Sequence, residues 1–170
     1  MNTSIKLVTI LSLFFLISCG GKEEKKEQVT LQKKAPTTSI KKEPASQVPA
    51  SKRVDLTNKG VGIIKNLVLP PTIDDAMAAK GAELFKVNCT ACHRPLKKFI
   101  GPPPVNILER RTPEWVMNMI LDPEKMVKED PLAKELLIEH NGSPMANQSL
   151  KEGEARAIVE YFRTLKKENI

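Results

Sequence analysis

Two cysteines with two residues between them, followed directly by a histidine, are the side chains of this sequence best suited to chemistry: Cys89, Cys92 and His93. Each thiol can add to one vinyl group of a haem, and the two-residue spacer suits the separation of the two vinyls. The imidazole is then carried under the ring, where it can bind the iron. The motif therefore predicts one haem c, attached covalently through the two cysteines and ligated by His93.

Two other kinds of site also use a C-x-x-C pair. A structural zinc site usually needs a second pair of Cys or His ligands, and the only other histidine is His140. A thioredoxin-like dithiol is typically preceded by a strand and followed by a helix. Here a helical pattern precedes the motif, and Pro95 and a Gly-Pro-Pro-Pro run follow it. The haem interpretation is therefore favoured, with zinc and dithiol sites as its alternatives.

The first 54 residues indicate an export signal followed by a tether. Lys6 precedes an apolar run from Leu7 to Ile17 that is too short to span a bilayer comfortably. Leu16-Ile17-Ser18-Cys19 resembles the lipobox of bacterial lipoproteins, in which the cysteine is acylated and becomes the mature N-terminus. An ordinary signal peptide or an uncleaved anchor is the alternative. We predict a signal peptide over 1–18, and a lipidated Cys19 with a flexible charged tether over 19–54.

The positive charge lies mostly on this tether. Residues 20–55 hold nine Lys/Arg and five Asp/Glu, whereas residues 56–170 hold seventeen and fifteen. Nucleic-acid binding loses its main support, because the globular part is nearly neutral and offers few aromatic side chains for stacking. Weak attraction of the tether to anionic lipid headgroups accounts for the basic composition.

Residues 55–170 have the size of one small domain, in which we predict an extended arm over 55–73 and an all-α haem-binding core over 74–170. Four helices are indicated by their apolar spacing and start signals. Their predicted bounds are Asp74 to about Asn88, Pro113 to just before Pro123, Leu132 to His140, and a last helix to about Lys167. The first has acidic residues in its first turn, the second and third follow the start signals at Thr112 and Asp130-Pro131, and the last opens at a Ser149–Glu152 capping box.

Lys80-Gly81-Ala82-Glu83-Leu84-Phe85, followed by the C-x-x-C-H motif, is similar to the first helix of class I mono-haem cytochromes c. In that family this helix packs across the C-terminal one. The family's glycine matches Gly81, which would let the helices approach closely, and its C-terminal apolar and aromatic pair matches Ile158 and Tyr161. The resemblance implies a cytochrome c fold of about four helices around one haem.

The sixth iron ligand decides what the haem can do. Met145 lies in a Gly-Ser-Pro-Met-Ala loop that resembles the family's methionine-bearing loop. Met117 and Met119 fall within a helical pattern and are expected in the core, so Met126 and His140 are the competing ligands. With His93 and Met145 both bound, no position is open for a substrate, which favours an electron carrier over an enzyme. A haem enzyme or gas sensor with a displaceable ligand is the alternative.

The resemblance also implies contacts around the haem. The family's axial histidine donates to a backbone carbonyl in a Gly-Pro segment, which matches Gly101-Pro102. Trp115, Arg110 and Arg111 are candidates for binding the haem propionates.

Basic residues near the motif and the export signal predict a redox partner and a location. Arg94, Lys97 and Lys98 follow the haem motif and favour an acidic docking surface. By analogy, the donor is a quinol-oxidising complex and the acceptor is a terminal oxidase or a periplasmic reductase. We expect a monomer held on a bacterial membrane by its lipid, facing the periplasm.

Overall fold

The computed structural model describes residues 48–166, and within that range the secondary structure is helical. Five α-helices occur: α1 (Asp75–Asn88), α2 (Pro113–Leu121), α3 (Pro123–Glu129), α4 (Pro131–Glu139) and α5 (Glu152–Thr164), with a short 3-10 helix at Ile107–Glu109. The only β-bridge among these residues pairs Asp55 with Arg111. The all-α prediction is confirmed, whereas the predicted signal peptide, Cys19 and the tether up to residue 47 lie outside the described residues.

Three consecutive helices begin in the same way, with proline as the first helical residue and a capping side chain before it. Thr112, Asp122 and Asp130 each accept a hydrogen bond from the backbone N–H three residues on. The first and third of these signals predict two of the helices, whereas Asp122-Pro123 adds a helix that the prediction lacks. The domain therefore has five α-helices rather than the predicted four, because α3 occupies a segment predicted as a connection.

The last helix begins later than predicted. Ser149 has a positive φ of 54° and its N–H donates to the Asn147 side chain, so it does not cap the helix. Instead, the carboxylate of Glu154 accepts the backbone N–H of Lys151 at 2.8 Å. The Ser149 capping box was therefore wrong, and α5 ends at Thr164, before the predicted end at about Lys167.

The crossing of α1 over α5 forms the frame of the domain. A Cβ atom on Gly81 would collide with the backbone carbonyl of Ala157, so only glycine permits this approach. Beside the crossing, the Phe85 ring lies 5.5 Å from that of Tyr161 and 5.7 Å from that of Phe162. The close packing predicted at Gly81 is confirmed.

The arm over residues 55–73 lies against α2. The backbone N–H of Ile64 donates to the Asn118 side chain at 3.0 Å, and that of Leu67 donates to Glu114 at 3.1 Å. Ile64 is buried in the core. The extended backbone thus obtains from side chains the hydrogen bonds that a neighbouring strand would otherwise supply.

Residues 48–54 lie against α4. Ser51 donates to the Glu139 carboxylate from both its backbone and its hydroxyl, and Arg53 pairs with Glu135 at 2.6 Å. The domain's contacts therefore already include residues 48–54, ahead of the boundary predicted at residue 55. Across residues 48–166, every helix is too short or too polar to cross a membrane.

Candidate functional site

A cavity that is partly open to solvent is bounded by all five helices or their connecting loops. Cys89, Cys92, His93 and Met145 line it together. Most of its remaining wall is apolar, including Phe85, Val116, Ile120, Leu136, Ile158 and Phe162. Four residues separated by up to 56 positions in the chain thus share one apolar pocket.

The end of α1 positions the three residues of the motif. The N–H of Cys89 closes the helix by donating to the carbonyl of Phe85 at 2.9 Å. The backbone then turns sharply, because the N–H groups of Cys92 and His93 both donate to the carbonyl of Cys89, at 3.1 and 2.8 Å. This turn holds the two thiols and the imidazole in a fixed order at the cavity wall.

The imidazole of His93 is fixed from behind. Its Nδ1 lies 2.8 Å from the carbonyl oxygen of Pro102. Because a carbonyl only accepts, Nδ1 carries the hydrogen and Nε2 keeps the lone pair that binds a metal. This is the contact expected at Gly101-Pro102.

Gly101 packs directly on the ring of His93. A Cβ atom there would lie 2.8 Å from Nδ1, closer than real Cβ atoms come, and the Gly101 N–H donates to the carbonyl of Cys92 at 2.9 Å. Burial lowers the pKa of His93, although the bond to Pro102 opposes this effect. The imidazole is therefore held neutral, as iron binding requires.

The alternatives to a haem site lose support from the geometry. Burial raises the pKa of the Cys89 thiol to about 11, whereas a reactive dithiol needs a lowered pKa. Within residues 48–166, no cluster of three His, Cys, Asp or Glu side chains is arranged to hold a metal ion. Cys89 is thus poorly suited to disulfide exchange, and the described residues place no third such ligand with the cysteines for a zinc site.

The methionines separate into two groups. Met145 is half-buried at the cavity, on the loop between α4 and α5, and Met119 also lines the cavity from α2. Met117 is buried in the core as predicted. Met126, the competing ligand, lies outside the cavity, where its sulfur is 3.1 Å from the backbone N–H of Val61. Met126 is therefore a core residue. Met119 was expected in the core because of its helical spacing, but it lines the cavity.

His140, the other competing ligand, is buried at the cavity wall. Its Nδ1 lies 3.0 Å from the carbonyl oxygen of Ile100, and its Nε2 has no hydrogen-bond partner among the described residues. Its position is thus partly explained by a hydrogen bond that joins two loops.

Arg110 and Arg111 line the cavity and form no ion pair with any residue from 48 to 166. Arg110 donates to the carbonyls of Val105 and Asn106, and Arg111 donates to those of Ala50 and Arg53. In both, Nε is buried and without a partner in this part of the chain. Burying an unpaired charged donor is costly, so the two guanidinium groups fit the anionic carboxylates of a haem.

Trp115 lines the cavity but differs from the prediction. Its only donor, Nε1–H, is directed to the carboxylate of Asp130 at 3.2 Å. A hydrogen bond from Trp115 to a propionate is therefore excluded in this geometry, and its indole contributes an apolar wall.

Of the three basic residues predicted around the motif, Arg94 contacts neighbouring residues of the same turn. Its guanidinium donates to the carbonyls of Thr90 and His93 and lies 4.1 Å from the centre of the Phe99 ring. Lys97 and Lys98 are exposed. The first charge braces the turn after the motif, and the other two remain on the surface.

The residues present fit a covalently bound haem. Two thiols, a neutral imidazole with a free Nε2 and a thioether line one apolar cavity, and two unpaired guanidinium nitrogens lie at its wall. Sequence reasoning missed Ser51 and Met119 as lining residues, since neither stands in a recognisable motif.

Comparison with known proteins gives the same result. The family model for cytochrome c matches residues 78–166, over half of the chain. Cytochrome c from Rhodothermus marinus is 38% identical, with a TM-score of 0.60, over 69% of this chain and 93% of that one. An engineered Rhodothermus marinus cytochrome c, Rma TDE, is 37% identical with a TM-score of 0.59, covering 69% and 94%.

The same engineered protein bound to a carbene intermediate is 36% identical with a TM-score of 0.57, again covering 69% and 94%. A comparison with curated protein sequences found no match. The matched range, residues 78–166, includes the C-x-x-C-H motif that lines the cavity. The chain belongs to the cytochrome c family and is a haem c electron-transfer protein.

Proposed function

We propose that this protein is a one-electron carrier of an extracytoplasmic respiratory chain, in which His93 and Met145 would both hold the haem iron. One observation carries the proposal: the cavity that holds Cys89, Cys92 and His93 is also lined by Met145, 52 positions further along the chain. Met126 is removed from the cavity by its core position, which leaves fewer sulfurs to compete.

When bound, the haem supplies an iron that alternates between the ferric and ferrous states. His93 offers Nε2 as a ligand, since Nδ1–H is committed to Pro102. Met145 offers a soft thioether, which stabilises ferrous relative to ferric iron. With both ligands in place the chain leaves no open position for a substrate, which supports electron transfer rather than catalysis.

The apolar wall serves the same function. Phe85, Ile158 and Phe162 come from the packed crossing of α1 and α5 and exclude water from one side of the cavity. A rigid, dry surrounding limits reorganisation when the charge on the site changes. Arg110 is half-buried and Arg111 is buried. Both would supply positive charge to the haem propionates.

The location is proposed from the sequence. Cys19, at the end of a short apolar segment, would carry lipid that holds the protein on a bacterial membrane facing the periplasm. A quinol-oxidising complex is the proposed donor, and a terminal oxidase or periplasmic reductase is the proposed acceptor. Exposed Lys97 and Lys98 support an acidic docking partner.

The carrier function is tested by exposing the ferrous full-length holoprotein to carbon monoxide. We expect no binding to the wild type and ready binding to Met145→Ala. Rapid binding by the wild type would contradict the carrier and favour the alternative, a haem enzyme or gas sensor with a displaceable ligand.

Membrane attachment is tested separately with Cys19→Ser. We expect the wild type to enter the detergent phase on Triton X-114 partitioning and the variant to stay in the aqueous phase. Equal partitioning of both into the aqueous phase would contradict the lipid anchor and leave the haem chemistry unaffected.

A further inference from the structure

His140 stands where the loop that carries Met145 leaves α4, and the proposed function gives it no role. Its backbone is firmly held: its N–H donates to the carbonyl of Leu136 at 3.0 Å, and its carbonyl accepts from Ser143 at 3.1 Å. Gly142 adds a bond to the carbonyl of Leu137 at 2.8 Å. The loop therefore starts from a fixed point, and His140 is buried, with 5% of the residue exposed.

The side chain reaches a segment 40 residues away in sequence. Its Nδ1 lies 3.0 Å from the carbonyl oxygen of Ile100, so Nδ1 must carry the hydrogen. Ile100 directly precedes Gly101 and Pro102, the residues that pack on and hydrogen-bond to the ring of His93. This one hydrogen bond thus joins the support of His93 to the loop of Met145.

The rest of that loop has no comparable tie. Among the described residues, the hydrogen bonds of residues 144–149 stay within the loop: Gln148 to the carbonyl of Ala146 at 3.4 Å, and Ser149 to the Asn147 side chain at 2.8 Å. Apart from Met145, these residues are exposed. The loop is therefore attached by its two ends, by the packing of Met145 and by His140.

We propose that His140 is a positioning residue that fastens the Met145 loop to the His93 support and so keeps the thioether at the iron. The inference rests on the proposed function, in which Met145 is a ligand. Breaking the tie would raise the fraction of molecules with the loop displaced. The apparent affinity for an external iron ligand rises in proportion to that fraction.

The test is imidazole binding to the ferric, full-length holoprotein. We expect His140→Leu to bind imidazole about five- to tenfold more tightly than the wild type, the factor that one net hydrogen bond contributes. His140→Asn is the matched control, because the amide nitrogen of asparagine is one bond from Cγ, as Nδ1 is. We expect its affinity to stay within about twofold of the wild type, since the hydrogen bond to Ile100 is retained.

The imidazole affinities of these variants either support or overturn the proposal. Unchanged affinity in His140→Leu would overturn it. Equally raised affinity in His140→Leu and His140→Asn would also overturn it, because the unpartnered Nε2 would then be the important atom, as a ligand or as a propionate contact. Met145→Ala separates failure of this inference from failure of the proposed function. If Met145→Ala binds imidazole no better than the wild type, the proposed ligation by Met145 fails instead.

A measurement on the wild type covers the case in which His140→Leu does not yield holoprotein. The tautomer of His140 in the ferrous, diamagnetic protein can be read from its side-chain nitrogen resonances. Hydrogen on Nδ1 is the expected result. Hydrogen on Nε2 alone would overturn the proposal, because a bare Nδ1 cannot bond to a carbonyl oxygen.

Discussion

The two sides of the cavity are built differently. His93 stands directly after a helix, within a turn closed by two hydrogen bonds to Cys89, and is backed by Gly101 and the carbonyl of Pro102. Met145 stands in the middle of an exposed loop, with a fixed point at one end and the start of α5 at the other.

Under the proposed ligation, the fold would hold its two iron ligands in different ways. The His93 side is fixed by short-range contacts, so local changes there should alter the site itself. The Met145 side is fixed by few contacts, so changes there should alter how often the ligand is in place. Local opening is expected where few buried contacts hold a segment.

The largest effect is expected when the covalent anchor on the His93 side is removed. Cys89→Ser combined with Cys92→Ser should lose all haem that resists extraction into acidified acetone. The chain should also lose helical structure, since its apolar cavity would be left unfilled. Haem staining and far-ultraviolet circular dichroism measure the two effects. Retained covalent haem in the double variant would contradict attachment at these positions.

The next effect concerns the Met145 side. Met145→Ala should lower the midpoint potential by on the order of a hundred millivolts, because the thioether that favours ferrous iron is lost. Met126→Leu is the control, since Met126 is buried outside the cavity. It should leave the potential unchanged and cost less than about 1.5 kcal/mol of unfolding free energy. Potentiometric titration of both variants provides the comparison, and a fall in the potential of Met126→Leu alone would reverse the assignment.

A matched pair of glycines compares the sides directly. Gly101→Ala should cost about 1–3 kcal/mol of unfolding free energy and shift the potential, because the new methyl group meets the His93 ring. Gly142→Ala should cost about 1 kcal/mol, since its φ is +70° but no side chain or backbone atom lies near the new methyl group. The midpoint potential of the Gly142→Ala holoprotein should stay unchanged. Denaturant unfolding and potentiometry of the two holoproteins measure this, and equal potential shifts would contradict the contrast.

The smallest effect is a difference in acid stability. Burial favours the neutral form of Glu160, but the N–H of Asp74 and the guanidinium groups of Arg156 and Arg163 outweigh it and lower the pKa. A carboxyl group with a lowered folded-state pKa contributes stability above its ordinary value of 4.5, and this is lost as pH falls through the folded pKa. Glu160 therefore makes the α1 and α5 frame sensitive to acid below about pH 4.5.

Glu139 offers the comparison on the Met145 side. Its pKa is also lowered, since hydrogen bonds from Ser51 outweigh the effect of burial, but it is half-buried and has fewer partners. We expect Glu160→Gln to flatten the decline of stability between about pH 5 and 3 more than Glu139→Gln does. Unfolding midpoints of the holoproteins across that range test this, and the reverse order would refute it.

Much of the frame could be predicted from local signals. Gly81 and the C-x-x-C-H motif are short patterns with a strong physical cause, and two of the three Pro-initiated helices were found by their caps. The third, α3, was overlooked because a single residue, Asp122, both ends α2 and caps α3. Such continuous helical segments have no linker to reveal a boundary.

The remaining differences come from contacts distant in sequence. Trp115 directs its only donor to Asp130, and His140 bonds to Ile100, 40 positions away. Neither pairing leaves a mark in local composition. Met119 follows helical spacing like a core residue, and only the packing of α2 places it at the cavity. Local patterns thus predicted the cofactor and the His93 side better than the side chains that surround them.

The most direct test of this account is near-infrared magnetic circular dichroism of the ferric, full-length holoprotein. The low-spin charge-transfer band in this region distinguishes histidine–methionine from bis-histidine ligation, and high-spin iron lacks it. We predict the histidine–methionine band in the wild type and its loss in Met145→Ala. A bis-histidine or high-spin spectrum of the wild type would contradict ligation by His93 and Met145.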